Sequence, residues 1–107
     1  MSSKKNSFTG FGSAAIHSGH KQDESNAHLT PVYASSTYVF DNTDQGMRRF
    51  NGEEKGYIYS RWGNPTMTEA EDKIAALESF KISDEQGNGL ALKTILHASG
   101  MAALSTL

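Results

Sequence analysis

Apolar residues are unevenly spread along this chain of 107 residues. After Thr66 they fall into periodic runs. In the first 56 residues Ser, Gly, Asn, Thr and Asp dominate and little period is sustained. The clearest run is Met67, Ala70, Ile74, Leu77 and Phe80, at steps of three and four, which predicts a helix over 65–80 with one apolar stripe as its core face. Asn64 suits its cap and Pro65 its first position. Thr66-Met67-Thr68-Glu69 is an alternative capping box. The acids Glu69, Glu71 and Asp72 suit the positive end of the helix dipole. Further on, Thr94-Ile95-Leu96-His97-Ala98 has the length and apolarity of a buried parallel strand. Ser99-Gly100 then turns the chain, and 101–107 starts another helix with Ser99 or Gly100 near its cap. That helix has no C-terminal cap, so the pattern reads as a truncation.

The earlier half predicts less regular structure. Met1 to Gly12 is polar apart from Phe8 and Phe11, and is expected to be mobile unless those rings dock. Ser13 to His17 suits a short helical turn. His17 and His20 are read as imidazoles on a turn in preference to a metal site. Leu29 to Phe40 is predicted to be extended, because Pro31 holds Thr30 away from helix and the β-branched and aromatic content favours strand geometry. Pro31 also argues against a central strand of a sheet. Asp41 to Asp44 reads as a turn or cap leading into 45–50, Asn51-Gly52 as a turn, and Glu53 to Gly56 as a solvated loop. Arg48-Arg49 reads as a solvated or salt-bridged face. Lys81 to Gly89 is a polar link broken at Gly87-Asn88-Gly89.

Composition narrows the classes. The apolar fraction is 36%, against roughly 45–50% for soluble domains counted with glycine. A half-irregular chain of this size is not expected to stand as a self-sufficient domain. It is expected to be part of something larger, or an arm that packs on a partner. The net charge of −2 gives no basic excess for bulk nucleic-acid binding. With no cysteine there is no disulfide framework, thiolate nucleophile or cysteine-based zinc site. No apolar run has the length to span a membrane, and no secretory signal follows Lys4 and Lys5. A cytoplasmic location is the expectation.

Two stretches carry candidate chemistry. Tyr57-Ile58-Tyr59-Ser60-Arg61-Trp62-Gly63-Asn64-Pro65-Thr66 sets phenols, an indole and a guanidinium just before a helix start. Arg61 offers a planar fork of donors for phosphate or carboxylate, and Tyr59 adds a phenolic O–H. Ser99-Gly100-Met101 follows an apolar run and opens a helix, where free N–H groups and the dipole favour an anion. Taken singly, the first also reads as an aromatic packing knot and the second as a plain turn.

Together they support a resemblance. From about Ala15 to Leu107 the chain resembles the N-terminal portion of the γ-family of pyridoxal-phosphate enzymes of Cys/Met metabolism. That group includes cystathionine γ-synthase, cystathionine lyases, methionine γ-lyase and homoserine-ester sulfhydrylases. The resemblance rests on Ile16 to Gly19, Pro31 to Tyr38, Tyr57 to Thr66, Ala75 to Glu78 and Ala98 to Ala103. It implies an α/β fold: an N-terminal arm over 1–64 and the start of an aspartate aminotransferase-like, type I large domain over 65–107. It implies pyridoxal 5'-phosphate as cofactor, with Ser99, Gly100 and Met101 forming the phosphate turn. Tyr59 and Arg61 would reach the cofactor phosphate of a neighbouring subunit in a dimer of dimers, Tyr59 also assisting proton transfer. The Lys81 to Gly89 link looks longer than is usual in the family. None of Lys4, Lys5, Lys21, Lys55, Lys73, Lys81 or Lys93 matches the Schiff-base lysine, so no catalytic residue is expected in this chain and the chain alone is expected to be inactive. The expected parent activity is elimination or replacement at the β or γ carbon of a sulfur amino acid or activated homoserine. The other readings are a non-catalytic anion-binding or oligomerisation module and, against the charge balance, a single-stranded nucleic-acid binder using Tyr57, Tyr59 and Trp62.

Overall fold

A computed structural model describes residues 8–107. Its helices are α1 (Phe11–His17), α2 (Thr43–Phe50), α3 (Pro65–Glu78) and α4 (Gly100–Thr106). Asn42, Asn64 and Ser99 each accept a backbone N–H in their side chain and so start α2, α3 and α4. For α3 the cap is Asn64 with Pro65 in the first turn, not the box at Thr66. The helix ends at Glu78, two residues short of the predicted end, where Ser79 donates through its hydroxyl to the Ala75 carbonyl.

The helix contact among the described residues is α1 against α3. Small residues allow it: Ala14 and Ala75 are buried, as is Ser18 at the end of α1. Gly19 extends the approach. Its φ is +79°, and a β-carbon there would lie 2.8 Å from the Lys73 backbone nitrogen. Phe11 packs edge-on against Phe80 at 5.4 Å, and the Phe8 ring stacks on His17 at 6.0 Å. Both N-terminal rings therefore dock, and Gly10 to Gly12 of the stretch expected to be mobile cap and open α1; its residues 1–7 lie outside the described residues.

Three sequence expectations need correction. The predicted core stripe of α3 is only partly covered: Met67 is 46% and Ile74 38% exposed, and the buried residue is Ala75. The periodicity correctly marks an apolar face, but this chain brings too little against it. No acid lies in the first turn of α3. Glu69, Glu71 and Asp72 sit one turn later and act as clasps: Glu69 faces His20 at 3.7 Å, Asp72 pairs with Lys21 at 2.9 Å, and Glu71 accepts the Leu96 N–H at 3.0 Å. The segment 94–98 is not a strand; it runs without ladder partners beside α3. A parallel strand buried within a sheet needs neighbours on both sides to satisfy its backbone, and the described residues supply none.

The molecule is open. Its radius of gyration is 16.2 Å, against about 13 Å for a compact chain of 100 residues. Its accessible surface is 8786 Å², where a compact monomer of this mass exposes roughly 5,800 Å². Val39, Phe50, Trp62, Ile95 and Leu104 are among the large apolar side chains left exposed.

Candidate cofactor-phosphate site

The segment carrying Tyr59 and Arg61 is fixed by polar ties to the extended stretch 31–38. Thr37 and Tyr59 form an antiparallel bridge. Tyr38 N–H donates to the Ile58 carbonyl at 3.3 Å and Ser60 N–H to the Ser36 carbonyl at 2.9 Å. The Ser60 hydroxyl also donates to the Ser35 carbonyl. Trp62 and Gly63 N–H groups both return to the Tyr59 carbonyl, making a tight turn that holds Arg61 outward.

Behind that turn lies a knot at the start of α3. The Asn64 amide donates to the Tyr33 carbonyl at 2.8 Å and to the Ser60 hydroxyl at 3.1 Å, while its oxygen accepts the Thr66 N–H at 2.9 Å. The Thr66 hydroxyl accepts the Tyr33 N–H at 2.9 Å. Asn64 is only 7% exposed. From sequence it reads as a cap alone; the 31-residue span to Tyr33 leaves no local signal of the second tie.

The arginines are treated differently. Arg48 and Arg49 converge on Glu54, at 3.0 and 3.3 Å, and Gln45 donates to the same carboxylate at 2.9 Å. This agrees with the salt-bridged reading of the pair and makes the 53–56 loop more structured than a solvated one. Arg61 is exposed and makes no ion pair or hydrogen bond among the described residues; its guanidinium carbon lies 4.9 Å from the centre of the Tyr59 ring. Stacking of this kind orients the fork without using its donors. The Tyr59 hydroxyl is likewise without a hydrogen bond among the described residues. Beside them is an open cleft of about 360 Å³ lined by Tyr38, Phe40, Phe50, Tyr59, Arg61 and Trp62. A T-shaped contact of Phe50 on Trp62 at 5.7 Å shapes its apolar wall.

Ser99 caps α4 by accepting the Ala102 N–H at 3.1 Å, and its carbonyl accepts the Ala103 N–H. The N–H groups of Gly100 and Met101 have no acceptor among the described residues. Nothing lies within 4 Å of the position a Gly100 β-carbon would take, and the first turn holds no acid. No hydrogen bond or ion pair joins this turn to Tyr59 or Arg61 among the described residues. The two halves are separate within one chain.

The donor set fits the phosphate end of a cofactor: two free N–H groups at one place, an unpaired guanidinium and a phenol at the other. It does not fit the aldehyde end. Lys21 is held by Asp72, Lys73 donates to the Ile16 carbonyl at 3.2 Å, Lys81 lies over the Phe80 ring, and Lys55 and Lys93 are exposed. No described lysine is the desolvated amine that such a linkage uses. Lys4 and Lys5 lie outside the described residues. No described helix is long and apolar enough to cross a membrane.

Residues 12–107 match the family described as Cys/Met metabolism PLP-dependent enzyme. The chain is 45% identical to an L-methionine gamma-lyase of Porphyromonas gingivalis over 82 residues, 77% of this chain and 21% of the relative. It is 34% identical to an O-acetyl-L-homoserine sulfhydrylase of Corynebacterium glutamicum over 94 residues, 85% of this chain and 22% of the relative. Among solved structures it is similar to a protein assigned as an O-acetylhomoserine (thiol)-lyase from Campylobacter jejuni that holds a pyridoxyl-lysine monophosphate. The identity is 33% and the TM-score 0.62, over 67% of this chain and 18% of that one. The chain thus spans about a fifth of the length of these relatives.

Proposed function

Since this chain belongs to the PLP-dependent enzymes of Cys/Met metabolism, whose cofactor is pyridoxal phosphate, we propose that it supplies the phosphate-binding part of such an enzyme. The enzyme would act by elimination or replacement on a sulfur amino acid or an activated homoserine. Residues 1–64 are the arm and 65–107 the beginning of the α/β cofactor domain, in which 94–98 becomes a strand once neighbouring strands flank it. Pyridoxal phosphate, when bound, would supply an electron sink for chemistry at the substrate. The residues of this chain hold it. Gly100 and Met101 N–H groups, set by the Ser99 cap, receive the phosphate. Arg61 and Tyr59 reach the phosphate bound by a neighbouring copy, and the enzyme is a cytoplasmic dimer of dimers. Tyr59 would also assist a proton-transfer step at its phenolic oxygen.

The observation that carries this reading is the unpaired Arg61 over Tyr59, in a chain whose other two arginines are both bound to Glu54. The two halves of the donor set do not meet within one chain, which favours completion across a subunit boundary. The chain by itself would bind without turnover, since no described lysine is placed to link the cofactor.

The test uses the purified protein that carries this chain, with pyridoxal phosphate. Methionine, cystathionine and O-acetylhomoserine with sulfide are offered in turn. Cofactor-dependent release of a 2-oxo acid or formation of a new thioether or thiol amino acid supports the proposal. Cofactor binding without turnover of any of them supports the non-catalytic anion-binding module instead. For the shared site, an Arg61→Ala protein mixed with one altered at Ser99 should regain part of the activity through hybrid oligomers. Absence of any recovery in verified hybrids would refute the cross-subunit assignment.

A further inference from the structure

The chain has two Asn-Gly pairs, Asn51-Gly52 and Asn88-Gly89, and the fold treats them in opposite ways. The geometry points to Asn88 as a site of spontaneous deamidation, with Asn51 protected. The reaction requires the amide nitrogen of the following residue to attack the asparagine side-chain carbonyl carbon. A new C–N bond closes a five-membered imide, the side-chain nitrogen leaves as ammonia with the amide proton, and water then opens the ring. The product is aspartate or isoaspartate, and the net change is one water consumed and one ammonia released. A glycine following the asparagine leaves the attack unhindered.

At residue 88 the nucleophile is free. Ser83 and Gly89 face each other in an isolated antiparallel bridge. The bonds flanking it are Asp84 N–H to the Asn88 carbonyl at 2.9 Å and Leu90 N–H to the Ile82 carbonyl at 3.0 Å. Gly89 is thus the residue of a non-hydrogen-bonded pair, and its own N–H points away from the bridge. Both Asn88 and Gly89 are exposed. Among the described residues the Asn88 side chain is bound only through its nitrogen, to Asp84 Oδ2 at 3.2 Å, which leaves its carbonyl open to attack.

At residue 51 the nucleophile is engaged. Gly52 N–H donates to the Arg49 carbonyl at 3.2 Å, and Asn51 N–H donates to the Met47 carbonyl at 2.9 Å. Asn51 ends α2 in a helical conformation with ψ −5°, and its side chain donates to Glu53 at 3.2 Å. Attack would require that helix end to open.

Conversion at 88 has a structural consequence. Asp84 gathers the Asn88 N–H at 2.8 Å and the Asn88 side-chain amide. A carboxylate at 88 replaces that amide donor with a second negative charge. Isoaspartate also inserts a backbone atom between the partners of the bridge. The 83–89 turn is therefore expected to loosen after modification.

The experiment ages the protein that carries this chain at mildly alkaline pH, then follows each asparagine by peptide mapping. Deamidation adds about 1 Da. Conversion at Asn88 should run ahead of Asn51 by roughly tenfold or more, the factor that one hydrogen bond to be broken supplies. Gly89→Val places a branched side chain where nothing lies within 4 Å, so the turn persists while the attack is hindered. It should slow residue 88 by roughly tenfold and leave residue 51 unchanged. Asn51 converting as fast as Asn88 would overturn the assignment. So would an Asn88 that stays intact in the folded protein while a short peptide spanning 84–91 deamidates.

Discussion

Two helix starts in this molecule use the same device to opposite ends. Asn64 and Ser99 are both extended residues whose side-chain oxygen accepts an N–H from the first turn. Asn64 is buried and spends its remaining donors on Tyr33 and Ser60, so the end of α3 is closed by the chain itself. Ser99 is exposed and leaves Gly100 and Met101 without acceptors among the described residues. A cap with further partners on its own chain is structural; one that leaves donors over is open to an anion. The arginines repeat the contrast, since Glu54 closes Arg48 and Arg49 while Arg61 stays open.

The sharpest way to break this comparison is at Asn64. Asn64→Ala removes the cap and strands the Tyr33 carbonyl, with an expected loss of about 2–4 kcal/mol in denaturant unfolding of the protein that carries this chain. Asn64→Asp keeps the acceptor for Thr66 but not the donors. If the closure is tertiary, the aspartate should cost nearly as much as the alanine. A variant as stable as the parent would show that Asn64 is a cap and nothing more.

Next in size is Arg61→Ala. With no hydrogen bond or ion pair among the described residues, and only the exposed stack on Tyr59 to lose, it should shift unfolding stability by no more than about 0.5 kcal/mol. Loss of a charged bond to phosphate should weaken pyridoxal-phosphate retention roughly ten- to hundredfold, measured by dialysis and cofactor absorbance. Arg61→Lys keeps the charge without the fork and should fall between. Lost stability with unchanged cofactor affinity would reverse the assignment.

Ser99→Ala tests the open end directly. The cap itself is worth about 1 kcal/mol, and as an exposed cap it has no second tie to lose. Cofactor retention should fall more than stability does. An equal fall in both would make Ser99 a structural cap like Asn64.

Much of this arrangement is legible along the chain, and the reason is local. Caps, turns and helix starts depend on residues a few places apart, so Asn42, Asn64 with Pro65, Ser99 and the turn at Gly52 follow from neighbours alone. The aromatic and basic cluster at Tyr59 and Arg61 is visible as composition. What is not legible depends on distant partners. The Asn64–Tyr33 and Glu71–Leu96 ties join residues far apart in the chain. The stripe of α3 and the run 94–98 are apolar as pattern, but the burial expected of them is not met among the described residues, because burial needs a surface to lie against. A periodic pattern records what a segment is built to meet, and this chain meets only part of it.

The smallest effect, and the one that tests the arginine half of the comparison, is acid. Burial opposes the charge on Glu54, but hydrogen bonds from Arg48 and Gln45 and the Arg48 charge outweigh it and hold its carboxyl below the ordinary range. A carboxyl depressed in the fold favours the folded state when it is charged. The contribution is therefore complete above the ordinary carboxylate range and disappears as pH falls through the lower folded value. The pairs are partly exposed, so the change in stability is small and fades with salt. The clearer readout is local. As Glu54 protonates, the guanidinium signals of Arg48 and Arg49 in an NMR titration should move toward those of Arg61, which should not move. Glu54→Gln should abolish the transition. A Glu54 midpoint at or above the ordinary carboxylate range would mean that the arginine pair is not closed by this carboxylate, and that Arg61 is not distinguished by standing alone.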